Sequence, residues 1–192
     1  MVKCDPTSFD RYSAQITAFD CDRLSAGMRA ALISGKDRPV TTLLFLDGRT
    51  EKNNKVIAFC QFQCYCIRDV TADPDDDDLV PAVLATSFAV DKEYQKRTIS
   101  ATRADGAQTD WRISEYVLNI FVDHIKNIDK RHIRAQCIIL FSASSKLAGG
   151  LYTKISFEEI TWQFKLFKPR YKRDGEYTPM IYVLDETLIK TK

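Results

Sequence analysis

The chain has 192 residues, of which 45% are hydrophobic and 28% charged, and its formal net charge at pH 7 is +2. This length supports one full hydrophobic core, so we expect a single domain over residues 1–192. A net charge so close to zero does not imply capture of nucleic acid by bulk attraction, and any such binding would need a local basic patch.

The first part of the chain predicts a strand, a helix and a β-hairpin. Ser13–Ala18 is a candidate strand, and Asp20 is a suitable N-cap for a helix over Cys21–Ser34. Two β-rich runs follow, Val40–Leu46 and Val56–Ile67, separated by an Asp-Gly pair and further polar residues. That spacing is typical of two antiparallel strands joined by a longer loop.

The middle of the chain predicts a loop, a buried strand and a long helix. The acidic run Asp73–Asp78 cannot stack its like charges in a regular element, which indicates a solvated loop. Leu84–Val90 is apolar apart from small hydroxyls, as expected of a strand covered on both faces. The polar stretch Asp91–Gln108 predicts irregular structure, and apolar residues then recur at helical spacing from Asp110 to about Ile128.

The last part of the chain predicts three further elements. They are a strand over Ala135–Phe141, a short helix capped by Ser144 or Ser145 and running through Lys154, and an antiparallel pair formed by Phe157–Phe167 and Pro179–Leu184.

Cysteine usage and hydropathy bear on location. Six cysteines follow no short secreted framework and no signal stretch is present, so a reducing cytoplasm fits best. No apolar run approaches the roughly 20 residues of a bilayer-crossing helix, so we expect no membrane partner. Cys60, Cys64 and Cys66 share one face of a predicted strand, since side chains two positions apart lie on the same side. Zinc sites instead pair their ligands on tight turns, so we expect buried small side chains and no metal.

Two segments carry the chemistry. The predicted strand ends in Phe88-Ala89-Val90, and Gln95 follows in a polar turn that could receive an anion. Some fifty positions later, the predicted short helix carries Tyr152 toward the strand that begins at Phe157. The residues of this second segment that matter below are Ser145, Ala148, Leu151, Tyr152, Lys154 and Phe157.

This order of strand, anion turn, helix, strand and Tyr-bearing helix resembles the acetyl-CoA-binding core of the GNAT N-acetyltransferase superfamily. The family's Gln/Arg-x-x-Gly-x-Gly/Ala turn is matched by Gln95, with Thr98 and Ser100 at the glycine positions. Its Asn-x-x-Ala-x-x-Phe/Leu-Tyr-x-Lys/Arg-x-Gly-Phe motif is matched in the second segment, with Ser145 at the Asn and Ser156 at the Gly. Phe19-Asp20-Cys21 also looks like the opening of relatives that acetylate tRNA.

The resemblance implies an α/β fold with a mixed, mostly antiparallel central sheet flanked by helices. The sheet would splay between the strand ending at Val90 and the strand Ala135–Phe141, and acetyl-CoA would enter that gap as co-substrate. The implied activity is acetyl transfer to an amine, on a small molecule or a macromolecule, by direct attack in a ternary complex.

The resemblance also implies the site residues. Tyr152 would protonate the departing thiolate, and the backbone of Phe88, Ala89 and Val90 would hold the pantetheine arm. The pyrophosphate and its surroundings would be contacted by Gln95, Lys96, Arg97, Thr98, Ile99, Ser100, Arg103, Gly106 and Ser145.

Several alternatives stay open on the residues themselves. The loop after Val90 either rebuilds a phosphate cradle from cations and hydroxyls or is an exposed connector, and Tyr152 is either an acid or a packed core ring. A non-catalytic binding module and a toxin acetylating aminoacyl-tRNA are therefore the rival functions, and a homodimer is compatible with the sequence. The candidate tRNA patch, otherwise a solvated loop, consists of Lys165, Lys168, Arg170, Lys172 and Arg173. No general base is identified, and Asp69, Asp91 and Glu93 are candidates by position alone.

Overall fold

The computed structural model describes residues 2–3, 40–48, 55–69, 79–102, 106, 108–129, 134–143, 145–160, 164–166 and 177–185. The chain divides into two compact units, Met1–Phe62 with Ser87–Leu118, and Gln63–Thr86 with Asn119–Lys192. The predicted strand over 13–18, the helix over 21–34 and the acidic loop over 73–78 lie outside the described residues. The single-domain expectation stays a prediction.

The first unit contains a run of antiparallel strands. β1 (Val2–Lys3) pairs with β2 (Thr41–Asp47), which pairs with β3 (Lys55–Asp69) from Thr41↔Phe62 to Asp47↔Lys55. These strands confirm the hairpin predicted from the two β-rich runs. Apolar side chains on both faces of β2 and β3 are buried, including Leu43, Leu44 and Phe59.

The rest of this unit follows β4 (Leu79–Val90), whose last residues belong to it. A turn over 91–97 leads into a second hairpin, β5 (Thr98–Thr102) and β6 (Gln108–Arg112), and then into helix α1 (Ile113–Asp129). The prediction of irregular structure over Asp91–Gln108 therefore holds for the turn and is wrong from Thr98 onward, and the helix begins three residues after the predicted start at Asp110. β5 is rich in β-branched residues, and Gly106 lies between the strands with φ +84°, which is the conformation that favours glycine in a hairpin turn.

The second unit is built around a short parallel pair. β4 runs parallel to β7 (Cys137–Ser142) from Ala82↔Cys137 to Ala85↔Leu140. β7 pairs antiparallel with β10 (Thr178–Val183), which pairs with β8 (Glu158–Glu159). Both faces of β7 are buried, as its unbroken apolar sequence predicts.

One predicted pairing in this unit is confirmed only in part. We expected a single strand over Phe157–Phe167 beside the last strand, and within the described residues of that range β8 does pair with β10. β9 (Phe164–Leu166) pairs instead with the end of β3, from Ile67↔Leu166 to Asp69↔Phe164. Strand patterns fix a face but not a neighbour, so the sequence could not choose between the two partners.

The predicted fold class is confirmed, because the central sheet is mixed and mostly antiparallel. Five of its described pairs (β1–β2, β2–β3, β3–β9, β7–β10 and β8–β10) are antiparallel, and β4–β7 is parallel. The helix α1 begins and ends within a few residues of the predicted helix, and Val117, Phe121 and Ile125 form its buried stripe. Within the described part of the chain, no helix has the length and hydrophobicity to cross a membrane. The cysteine prediction holds only in part: burial raises the pKa of the Cys60 thiol, whereas Cys64 is exposed and Cys66 is half-buried.

Candidate active site

The turn after β4 is folded by its own hydrogen bonds. Asp91 is buried, and its N–H donates to the Ile57 carbonyl on β3 at 2.8 Å. Its carbonyl accepts from the N–H groups of Tyr94 at 2.8 Å and Gln95 at 3.1 Å, and its Oδ1 accepts from the Glu93 N–H at 3.0 Å. This side chain to backbone bond is an Asx-turn, which explains why an aspartate follows the strand directly.

Gln95 holds the end of the strand. Its Nε2 donates to the Val90 carbonyl at 3.0 Å, and the Arg97 N–H donates to the Tyr94 carbonyl at 3.1 Å. The amides of Glu93, Tyr94, Gln95 and Arg97 therefore already donate within the turn. A pyrophosphate bound here would depend on side-chain charge more than on these amides.

Two cations and a carboxylate surround the ring of Tyr94. This ring is 4% exposed, and its hydroxyl donates to Asp47 Oδ2 at 3.3 Å. The Arg97 guanidinium carbon lies 4.7 Å from the ring centroid, and Lys55 Nζ lies 5.2 Å from it. Such distances are typical of cation–π contacts.

Both cations also bind Glu93. Lys55 Nζ lies 2.5 Å from Glu93 Oε2, and Arg97 Nη2 contacts Glu93 Oε1 while Arg97 Nε donates to the Glu93 carbonyl at 3.1 Å. The hydrogen bond from Lys55 lowers the pKa of Glu93 and raises that of Lys55. Burial, followed by the charge of Asp47, raises the pKa of Tyr94. We call Lys55, Glu93, Tyr94 and Arg97 the turn cluster.

The turn is joined directly to the start of α1. The Ile113 N–H donates to the Arg97 carbonyl at 3.0 Å, so the residues just before and just after the β5–β6 hairpin are hydrogen-bonded to each other. Glu115 in the first helical turn accepts from the Arg112 N–H at 3.3 Å. If the hairpin is set aside, the path is strand, turn and helix N-terminus, which is the order predicted from the sequence.

The predicted cofactor residues fall in three places. Phe88, Ala89 and Val90 end β4, with Phe88 half-buried and the other two buried. Gln95, Lys96 and Arg97 lie in the turn, and Lys96 is exposed. Thr98, Ile99 and Ser100 lie on β5, where Ser100 Oγ donates to Asp110 Oδ1 at 2.6 Å, and Gly106 lies in the hairpin turn. Arg103 lies outside the described residues.

Tyr152 closes an unusual helical segment in the second unit. A short α-helix over Ser145–Leu147 continues as a π-helix over Ala148–Tyr152 and a 3₁₀ turn over Thr153–Ile155. The predicted short helix is thus confirmed, although its winding changes twice. Single π-turns are rare in proteins and are frequent at functional sites. Ser145 has helical backbone, and its side chain lies outside the described residues.

A Schellman motif ends this segment and holds the Tyr152 ring. The Phe157 N–H donates to the Tyr152 carbonyl at 3.0 Å, and the Ser156 N–H donates to the Thr153 carbonyl at 3.1 Å. Ser156 is left-handed, with φ 67°. The motif brings its two flanking side chains together, and the rings of Tyr152 and Phe157 meet edge to face at 6.1 Å. Tyr152 is 8% exposed, so its ring is packed as the core interpretation expects.

Sequence reasoning missed part of the first unit's site. Lys55 and Asp47 were not candidates, because they lie on strands far along the chain from the turn. Tyr94 was not a candidate either. Of the predicted tRNA patch, Lys165 stands opposite Arg68 in the β3–β9 register, and its other members, Lys168, Arg170, Lys172 and Arg173, lie outside the described residues. Within the described ranges, no three His, Cys, Asp or Glu side chains are grouped to hold a metal ion.

Comparison with known proteins identifies the fold. No family model and no curated protein matches the chain in sequence. Among solved structures, a bacterial toxin is 16% identical with a TM-score of 0.62, and the match covers 98% of this chain and 93% of the toxin. AtaTR bound with acetyl-CoA is 12% identical with a TM-score of 0.59, covering 88% of this chain and 86% of that one. AtaT complexed with acetyl-methionyl-tRNAfMet is 10% identical with a TM-score of 0.56, with the same two coverages of 88% and 86%. The chain has the GNAT-like fold that these solved structures share.

Proposed function

We propose that this chain is an acetyl-CoA-dependent N-acetyltransferase that transfers acetyl to an amine by direct attack in a ternary complex. The observation that carries the proposal is the direct connection from β4 through the turn to α1, in which the Ile113 N–H donates a hydrogen bond to the Arg97 carbonyl. That path follows a strand whose parallel register with β7 ends at Ala85↔Leu140, while the strand itself continues to Val90. The solved structure of AtaTR bound with acetyl-CoA, which has the same fold, supports it.

In this proposal, the backbone of Phe88–Val90 binds the amides of the pantetheine arm. The pyrophosphate is surrounded by Gln95, Lys96 and Arg97 and by the N-terminus of α1. The helix N-terminus suits it because unpaired amides and the helix dipole favour an anion there. The roles of Thr98, Ile99, Ser100, Arg103, Gly106 and Ser145 in cofactor binding stay predictions.

The chemistry proposed for Tyr152 is general acid catalysis. The amine nitrogen attacks the thioester carbonyl carbon, the carbon–sulfur bond breaks, and the Tyr152 hydroxyl gives its proton to the departing sulfur. The amine loses a proton to a base or to water. Asp91 and Glu93 are poorly suited to accept it, because Asp91 is buried under the turn amides and Glu93 is ion-paired with a lowered pKa.

The test is Tyr152→Phe, which keeps the ring against Phe157 and removes only the hydroxyl. If the hydroxyl is the acid, acetyl transfer falls roughly 10²-fold or more while acetyl-CoA affinity stays near normal. The matched control is Tyr182→Phe, which removes a hydroxyl from the other ring packed on Phe157, 5.4 Å between centroids. Release of the CoA thiol is followed with simple amines and with aminoacyl-tRNA as acceptors. Unchanged turnover per folded molecule for Tyr152→Phe would reject the assignment.

We also propose a macromolecular acceptor, the amine of an aminoacyl-tRNA. The complex of AtaT with acetyl-methionyl-tRNAfMet, a protein of the same fold, supports this acceptor. Binding of tRNA should weaken steeply with salt, and loss of that dependence in Arg68→Ala with Lys165→Ala would support the patch.

The non-catalytic alternative also has an observation in its favour. Four turn amides are engaged, and both cations of the turn cluster are bound to Glu93, so the turn is complete without a phosphate. Failure to bind acetyl-CoA would decide for this alternative.

A further inference from the structure

Thr153, the residue after Tyr152, bonds the segment that carries the tyrosine in an unusual way. In an α-helix, the N–H of residue 153 would donate to the carbonyl four residues back, which belongs to Gly149. Here the Thr153 N–H donates to the Ala148 carbonyl, five residues back, which is the bond of a π-helix. The side chain replaces the missing bond, because Thr153 Oγ1 donates to the Gly149 carbonyl at 2.7 Å. We call Ala148–Tyr152 the π-turn.

This hydroxyl bond differs from the one that threonine usually makes in a helix. A helical threonine often donates to the carbonyl four residues back, which already accepts the backbone N–H of the same threonine. In that case the hydroxyl adds a second bond and does not select the winding. In the π-turn the N–H of Thr153 is engaged by Ala148, so the hydroxyl alone gives the Gly149 carbonyl a bond from residue 153.

The carbonyl of Thr153 fixes the end of the same segment. It accepts the Ser156 N–H at 3.1 Å, which is a bond of the tighter 3₁₀ turn that follows. The winding therefore changes from π to 3₁₀ at Thr153, and its N–H, hydroxyl and carbonyl bond on both sides of the change. Thr153 is exposed, so its contribution comes from these bonds rather than from burial.

The glycines of the π-turn impose no winding of their own. Gly149 and Gly150 are exposed, and neither has a positive φ. A Cβ placed on either glycine would meet nothing within 4 Å among the described residues. Glycine has a low intrinsic preference for the α-helix, so two in succession weaken the α form. A single hydrogen bond from Thr153 can then decide between α and π winding.

We propose that Thr153 is a positioning residue for Tyr152, an inference that rests on the acetyltransferase function proposed above. Each residue of an α-helix turns the chain by about 100°, and a π-turn holds one residue more than an α-turn. Conversion to α winding would therefore rotate Tyr152 by about 100° relative to Ala148 and move its Cα by about 3.5 Å. Since a misplacement of about 1 Å can cost roughly 10²-fold in rate, the winding decides whether the Tyr152 hydroxyl reaches the departing sulfur.

Two substitutions of Thr153 test the role of its hydroxyl. Thr153→Val keeps the shape and removes the hydroxyl, whereas Thr153→Ser keeps the hydroxyl. Loss of one hydrogen bond shifts an equilibrium by roughly two- to tenfold, so kcat of Thr153→Val should fall by up to that factor while the KM for acetyl-CoA stays near normal. Thr153→Ser should keep nearly the wild-type kcat. Full kcat in a Thr153→Val chain, or an equal fall in Thr153→Ser, would overturn the proposal.

A double-mutant comparison separates positioning from a general structural effect. In the Tyr152→Phe background there is no hydroxyl to position, so Thr153→Val should cause no further loss of kcat. An equal loss in both backgrounds would show that Thr153 acts by another route and would reject the positioning role. The proposed function fails separately, because it is rejected when Tyr152→Phe alone leaves kcat unchanged.

NMR couplings across hydrogen bonds test the winding itself without any measurement of activity. In the wild-type chain, the amide nitrogen of Thr153 should couple to the carbonyl carbon of Ala148, and in Thr153→Ser this coupling should persist. In Thr153→Val it should weaken, and a coupling to the Gly149 carbonyl carbon should appear, as α winding requires. If Thr153→Val keeps the wild-type coupling alone, the hydroxyl does not set the winding and the proposal is wrong.

Discussion

Ser156 differs from the glycine of the family motif, and its backbone conformation should cost a measurable amount of folding free energy. It occupies the glycine position of the Tyr-bearing motif and is left-handed, with φ 67°. A left-handed L-residue costs roughly 1–2 kcal/mol, whereas glycine adopts this conformation freely but loses about 0.5–1 kcal/mol more backbone entropy on folding. Taken at the middle of both ranges, the difference predicts that Ser156→Gly stabilises the protein by about 0.7 kcal/mol.

The control for this substitution is Ser156→Ala, which removes the hydroxyl and keeps the Cβ. Because alanine is equally strained, this variant should be no more stable than wild type, and the gap between the two variants isolates the backbone effect. Urea unfolding followed by circular dichroism measures both, and a gain of this size should raise the melting temperature by about 1–4 °C. If Ser156→Gly is no more stable than Ser156→Ala, the Schellman account of how Tyr152 is held is wrong.

Two further predictions concern the turn. Glu93→Gln should raise acetyl-CoA affinity several-fold in calorimetry, because it releases the cations of the turn cluster for phosphate. The control, Glu158→Gln, removes an exposed carboxylate on β8 and should leave the affinity unchanged. If Glu93→Gln binds acetyl-CoA with the same affinity as wild type, the turn cluster does not contact the cofactor. Thr98→Gly with Ser100→Gly restores the glycines of the family motif but should not raise acetyl-CoA affinity, because both residues lie in β5, where glycine weakens a strand. Stronger binding by this double variant would argue that the hairpin start acts as the phosphate cradle.

The sequence was most informative for elements whose hydrophobic pattern reflects burial in the core. β2, β3, β7 and α1 were predicted close to their observed bounds, because alternating or continuous apolar runs report burial directly. The hairpin was missed because both strands have only five residues. β6 alternates exposed and half-buried side chains, but over too few positions for its period to stand out beside the helical pattern that follows.

The candidate site divides in the same way. Gln95 and Tyr152 could be proposed from the sequence because each lies in a local motif, whose spacing the sequence shows. The turn cluster was not found, because Lys55 reaches Glu93 only through the pairing of β3 with its neighbours, and a pair 38 positions apart leaves no local signal. β9 was assigned the wrong neighbour for the same reason, since partner choice among strands is a tertiary property.

The most direct test of the central claim is titration calorimetry of the intact chain with acetyl-CoA, beside desulfo-CoA lacking the thioester. The account predicts saturable binding of one acetyl-CoA per chain and an increase in thermal stability, about 2.7 kcal/mol at a hundredfold excess over the dissociation constant. It further predicts that Tyr152→Phe binds with near-normal affinity. No heat of binding and no thermal shift at millimolar acetyl-CoA would contradict the acetyltransferase assignment and leave a GNAT-like fold with a binding role alone.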